Sequence, residues 1–135
     1  MRPRTILIVD DNPSSADTLE LALMDLDGFE TQTVPNGERA WRVIRDADAS
    51  GLAAVITDLQ MPAMDGFELI ARIRADSRYA RLPILVISAN TDPSTMRRAH
   101  ELGANVFLAK PWSSAKLHRR LEQLLYGASD DHTSS

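Results

Sequence analysis

A chain of 135 residues, 44% of them apolar, can bury the core of one domain and is too short for several. The absence of cysteine excludes a disulfide framework, a thiolate metal site and a cysteine nucleophile, and a formal charge of -4 argues against nucleic acid as the main partner. No apolar run approaches the ~20 residues that span a membrane, and no signal-peptide core precedes the first strand pattern, so a cytoplasmic protein is expected.

Thr5-Ile6-Leu7-Ile8-Val9 is an unbroken aliphatic and β-branched run, the pattern of a strand buried on both faces, and it ends at Asp10-Asp11. Asn12 can cap the helix that follows and Pro13 fits its first turn. Ala16, Leu19, Leu23 and Leu26 repeat at helical spacing until Gly28. Glu30 to Val34 is shorter and more polar, which predicts an edge strand. Asn36-Gly37 reads as a turn, and Ala40, Val43, Ile44 and Ala47 form the face of a helix running from Glu38 to about Ala49. Ala53 to Thr57 is a third strand, ending at Asp58. A third helix is expected from Gly66 to about Ala75, then a loop across Tyr79 to Leu82. Ile84 to Ile87 is a fourth strand, ending at Ser88. The fourth helix starts at Asp92-Pro93, points Met96, Ala99 and Leu102 inward, and closes at Gly103. Val106-Phe107-Leu108 is the fifth strand, ending at Lys110-Pro111. A last helix from Ser113 carries Leu117, Leu121, Leu124 and Leu125. The domain is expected over residues 1–126, with a flexible polar tail over 127–135.

Five strands alternating with five helices over short connections imply right-handed crossovers and a parallel sheet covered on both faces, a three-layer α/β/α architecture. In such a sheet every strand delivers its C-terminal residue to one edge. Asp10, Asp11, Asp58, Ser88 and Lys110 are therefore expected to converge. Packing offers no reason to gather carboxylates, because like charges a few ångströms apart repel. A hard divalent cation relieves that repulsion, and an all-oxygen set without His or Cys points to Mg²⁺. Lys110 adds a point charge and Ser88 a hydroxyl, both suited to phosphoryl oxygens. These are the parts needed for phosphoryl transfer to an aspartate.

At these residues the chain resembles the receiver domains of two-component response regulators, of the chemotaxis-regulator kind. The matching stretches are I-L-I-V-D-D at 6–11, D-L-Q-M-P-A-M-D-G at 58–66, V-I-S-A at 86–89 and G-A-N-V-F-L-A-K-P at 103–111. They occur in the family's order and cover nearly the whole chain. The resemblance implies a flavodoxin-like (βα)5 fold with strand order 2-1-3-4-5. It implies Asp58 as the phosphoacceptor, charged by a partner histidine kinase or phosphotransfer protein. Mg²⁺ would be bound directly by Asp11, Asp58 and the backbone carbonyl of Gln60, with Asp10 acting largely through metal-bound water. Lys110 and Ser88 would contact the phosphoryl group. Ser88 and Phe107 would be the switch pair, repacking to change the face made by the fourth helix, fifth strand and fifth helix for a downstream protein. Gln60 and Asn90 occupy positions that tune dephosphorylation, and the Lys110-Pro111 bond is expected to be cis. Ser88 stands where threonine is commoner and Phe107 where tyrosine is frequent, so the outward report of phosphorylation lacks a methyl group and a phenolic hydroxyl. Such a protein catalyses only its own phosphorylation and dephosphorylation. It would act as a monomer or weak homodimer, with no direct contact to nucleic acid or membrane. The initial methionine and polar tail favour a stand-alone regulator over a piece of a longer one.

The alternative is a Mg²⁺-dependent phosphohydrolase working through an aspartyl phosphate. Such an enzyme needs a second acid just after the nucleophile, whereas Leu59 and Gln60 follow Asp58. A dinucleotide site is disfavoured because D-D-N-P-S-S, not G-x-G-x-x-G, follows the first strand. Asp65-Gly66 reads as turn and cap, without a catalytic role. His100, His118 and His132 are isolated and expected at the surface. Arg97, Arg98, Lys116, Arg119 and Arg120 read as a solvated basic face, or as a docking surface for an acidic partner.

Overall fold

The computed structural model describes residues 3–126; the tail expected over 127–135 lies outside the described residues. Strands β1 (Arg4–Val9), β2 (Phe29–Val34), β3 (Leu52–Thr57), β4 (Ile84–Ser88) and β5 (Val106–Ala109) alternate with helices α1 (Pro13–Leu23), α2 (Gly37–Asp46), α3 (Gly66–Ala75), α4 (Pro93–Leu102) and α5 (Ser114–Leu125). All strand pairs are parallel, in the order β2-β1-β3-β4-β5. This is the flavodoxin-like order, with β2 at the edge as its composition predicts.

Alternation along each strand divides the core in two. Leu7 and Val9 of β1, Val55 of β3 and Val86 of β4 pack with Ile44, Leu69, Ile73 and Ala99 from α2, α3 and α4. Ile6, Ile8, Ile56, Leu85, Ile87 and Leu108 point to the other face, where α1 and α5 supply Leu19, Leu23, Leu117 and Leu121. Strands β3 and β4 are buried at every residue, which is why their sequences are apolar without alternation.

Side chains start four of the helices. Asn12 accepts from the Ser14 and Ser15 N–H groups ahead of α1, Asn36 from Arg39, Asp65 from Glu68 and Ser113 from Lys116. Asn36-Gly37 is thus a helix start, not a free turn. Gly37 is required there because a Cβ would lie 2.5 Å from the Met64 carbonyl oxygen.

The chain departs from its sequence pattern in four places. Helix α2 ends at Asp46, short of Ala49, because its last carbonyls are taken from outside the helix. The Tyr79 hydroxyl donates to Ile44 O at 2.7 Å, and the Arg78 guanidinium donates to Arg45 O and Ala47 O. Tyr79, expected in a loop, closes a 3-10 turn (Ser77–Tyr79) and is 1% exposed. Met96, expected inward, is 40% exposed; within α4 only Ala99 is fully buried. His118 is not a free surface residue either, because its ring nitrogen meets the Ala22 carbonyl and lies 3.3 Å from Asp25, tying α5 to the end of α1.

Candidate functional site

The carboxyl edge of the sheet carries the site, and the backbone ladder continues past the strand ends to place it. Asp10 N–H donates to Val34 O, Asp58 N–H to Val9 O and Lys110 N–H to Ser88 O. Each polar residue is therefore fixed by the strand beside it. The Lys110-Pro111 bond that follows is cis, as expected.

Asp58 is held through both carboxylate oxygens. Oδ1 accepts from the Leu59 N–H at 2.6 Å and the Gln60 N–H at 3.3 Å; Oδ2 takes the Lys110 ammonium at 2.7 Å. That last contact joins the ends of β3 and β5, 52 residues apart. Its side chains are largely withdrawn from solvent, 13% exposed for Asp58 and 32% for Lys110. Asp10 is 6% exposed and accepts from the Asn12 N–H, whereas Asp11 is exposed. Ser88 is buried, and its hydroxyl oxygen accepts from the Asn90 N–H at 3.1 Å. Asn90 in turn accepts from the Asp92 N–H. Phe107 is half-buried, pairs with Val86 across the sheet and packs against the α2–α4 side of the core. Gln60 is exposed beside Asp58.

The expected side chains therefore share one edge, and their electrostatics show it. Burial pushes the Asp10 carboxyl up from its ordinary value, with the Asp58 and Asp11 charges adding to the rise and the Asn12 N–H and Lys110 only partly offsetting it. Burial alone would lower Lys110. The Asp58 hydrogen bond and the charges of Asp58, Asp10 and Asp11 outweigh it and hold the ammonium above its usual range.

The donor set suits a hard cation: carboxylates of Asp11, Asp10 and Asp58 and backbone carbonyls, in a chain that has no cysteine to offer a thiolate. Among the described residues no three acidic or imidazole side chains are gathered into a closed metal cage. Mg²⁺ does not require one, because it takes one or two carboxylates and completes its octahedron with water and phosphate oxygens. Asp11 and Gln60 line an open hollow together with Met61, Pro62 and Phe67, which leaves room for such ligands.

Sequence reasoning missed two supports of Asp58. Thr57 is buried, and its hydroxyl donates to Asp58 O at 2.7 Å. Gly66, read as part of a turn, packs directly on the acceptor loop: its N–H donates to Leu59 O at 3.0 Å, and a Cβ would clash with Asp58 O and lie 2.8 Å from Leu59 Cα. The signal was the glycine at the first position of α3, where no left-handed conformation calls for it. Ala63, by contrast, takes a φ of 64° in the bend at 62–64 without being glycine.

A doubly wound parallel sheet with acids and a lysine gathered at its carboxyl edge defines the class: an α/β domain with its polar site at the strand ends. The response regulator receiver domain model matches residues 6–122. The chain is 33% identical over 119 residues to chemotaxis protein CheY-3 of Vibrio cholerae, covering 88% of this chain and 89% of that one. It is 32% identical to RcaC of Microchaete diplosiphon, of which it spans 18% of the length while 88% of this chain is matched. The receiver domain of a Pseudomonas aeruginosa sensor histidine kinase, solved with a magnesium ion in its active-site cleft, superposes with a TM-score of 0.81 at 30% identity, covering 91% of this chain and 98% of that one. The chain belongs to the response regulator receiver family.

Proposed function

We propose that this receiver domain accepts a phosphoryl group on Asp58 from a phosphohistidine of a partner kinase or phosphotransfer protein, and that the modification switches its α4-β5-α5 face for a downstream partner. The observation that carries this reading is the Asp58–Lys110 pair, a carboxylate oxygen 2.7 Å from an ammonium at the meeting of two strand ends. An Asp58 oxygen would attack phosphorus as the bond to the donor imidazole nitrogen breaks, leaving an acyl phosphate and a neutral imidazole. Lys110 is placed to follow the phosphoryl oxygens, and the Leu59 and Gln60 N–H groups keep the carboxylate oriented. Asp11, Asp58 and the Gln60 carbonyl would hold Mg²⁺, with Asp10 acting on it less directly; the cation would supply charge neutralisation for the phosphoryl oxygens. Ser88 would give up its contact with Asn90 to reach the new oxygens, and Phe107 would repack beside it. Gln60 and Asn90 flank the acceptor and would set how readily water attacks it.

Intact mass after incubation with acetyl phosphate tests this. A single phosphoryl adduct is expected that requires Mg²⁺, disappears in Asp58→Asn and accumulates far more slowly in Lys110→Ala. An adduct that persists in Asp58→Asn, or that forms equally well without Mg²⁺, refutes the assignment.

A further inference from the structure

Outside the acidic edge, one contact ties α4 to the rim of the hollow. The Arg98 guanidinium carbon of α4 lies over the Phe67 ring, 4.0 Å from its centroid. Phe67 is half-buried, packs on the core and lines the hollow shared by Asp11 and Gln60. It follows Gly66 directly, so its backbone position is fixed by the close packing of Gly66 on the Asp58–Leu59 backbone. The ring's place then depends on its two side-chain torsions, and Arg98 covers one of its faces.

Helix α4 is lightly held at its N-terminal end. Asp92 makes no side-chain cap, the first turn buries no residue, and Met96 is exposed. At the other end α4 is fastened: Arg74 of α3 donates twice to Gly103 O, at 3.1 and 2.8 Å. Arg98 stands between the loose first turn and the anchored half that begins at buried Ala99, so the fold holds its backbone and the stack holds its guanidinium.

Resting on the Asp58 reading above, we infer that Arg98 is a positioning residue: stacked on Phe67, it holds the ring at the mouth of the acidic hollow and so limits how fast water reaches a phosphoryl group on Asp58. The step controlled is hydrolysis. Water attacks phosphorus, the bond from phosphorus to the Asp58 oxygen breaks, the carboxylate is restored and inorganic phosphate leaves. An anchored aromatic ring excludes water from one side of that approach; a released ring admits it. The phosphoryl lifetime is thereby coupled to α4, the helix expected to meet the downstream partner.

The experiment compares wild type with Arg98→Met, Phe67→Leu, the double variant, Arg98→Lys and, as a control for charge on the same helix, Arg97→Met. Each is charged with acetyl phosphate and Mg²⁺, desalted, and its loss of the phosphoryl mass is followed in time. Arg98→Met and Phe67→Leu are each expected to speed hydrolysis about two- to fivefold, the scale of an exposed cation–π contact. The double variant is expected to match the faster single variant, Arg98→Lys to fall between, and Arg97→Met to behave as wild type. Equal rates for Arg98→Met and Arg97→Met, or effects that multiply in the double variant, overturn the inference. The stack itself is read in the unphosphorylated protein, as a ring-current shift of the Arg98 side-chain protons that Phe67→Leu abolishes. Its absence in wild type overturns the inference whatever the rates. A wild type that shows the ring-current shift yet never gains a phosphoryl group refutes the Asp58 reading, and this inference falls with it.

Discussion

At the scale of single residues, the site trades stability for chemistry, and Asp10 shows the direction. Its carboxyl is buried and its pKa in the fold lies above that of the unfolded chain. A group of this kind contributes fully below its unfolded pKa, and the contribution is lost as pH rises through the folded value. At neutral pH the charged form is therefore carried at a cost. Asp10→Asn keeps an oxygen for the Asn12 N–H and removes the charge, so it is expected to be the more stable protein at pH 7 by about 1 kcal/mol. The advantage should shrink as pH falls through the raised Asp10 value towards the ordinary carboxylate range. Thermal unfolding across that range measures it; a constant difference, or a less stable variant at neutral pH, would contradict the burial argument. Gly66 is constrained by space instead. A Cβ there meets Asp58 O and Leu59 Cα in rigid backbone, with no flexible side chain to yield. Gly66→Ala is expected to lose about 2–3 kcal/mol and to slow phosphorylation beyond what the fraction folded explains, because the shifted backbone is that of Asp58. Denaturant unfolding beside the acetyl phosphate reaction separates the two effects.

At the scale of elements, the strands and most caps were legible because each depends on local pattern. β3 and β4 are apolar at nearly every position, and Asn12 and Ser113 stand immediately before their helices. What escaped was set by distant partners. Nothing near Ala47 announces that Arg78 and Tyr79 will take the last carbonyls of α2. Met96 has helical spacing with Ala99 and Leu102, but spacing does not reveal how shallowly α4 lies on the sheet. The site was legible to the level of which residues share an edge, because strand ends of a parallel sheet must meet. The support from Gly66 required the packing of α3 to be seen. The clearest long-range device is Arg74, which donates to Gly103 O, Tyr79 O and Asn105 Oδ1; Asn105 Oδ1 also accepts from the Ile84 N–H. One half-buried cation thus fastens the end of α4 and the starts of β4 and β5. Arg74→Met keeps the aliphatic stem and strands these acceptors, which predicts a loss of about 2 kcal/mol. The loss should fall most heavily on amides from Gly103 to Ala109 in hydrogen exchange; uniform loss across the sheet would show that Arg74 supports the fold in general and not this corner.

For the whole molecule, sheet order divides the site between a firm half and a soft one. β1, β3 and β4 are flanked by strands on both sides and covered by helices on both faces, whereas β2 and β5 are edges with one fully buried residue each, Val34 and Leu108. Opening free energies follow burial and pairing. Amides of β1, β3 and β4 are expected to exchange only through global unfolding, and those of β5 through openings lower by about 2 kcal/mol or more. Asp58 thus hangs from the firm half, while Phe107 and Lys110 hang from the soft one, and the 2.7 Å Asp58–Lys110 contact is the bridge between them. A ligand can shift only an equilibrium it touches differently in its two states. On the proposed reading, a phosphoryl group on Asp58 would touch the soft strand through Lys110, where a small free energy moves a large share of the population, while in the firm half only the Ser88 side chain would turn toward it. Lys110→Met is therefore expected to lower the protection of β5 amides while β1 and β3 keep theirs. Equal loss in β3 would mean that the bridge holds up the sheet as a whole, and the edge strand would then have no separate motion for phosphorylation to select.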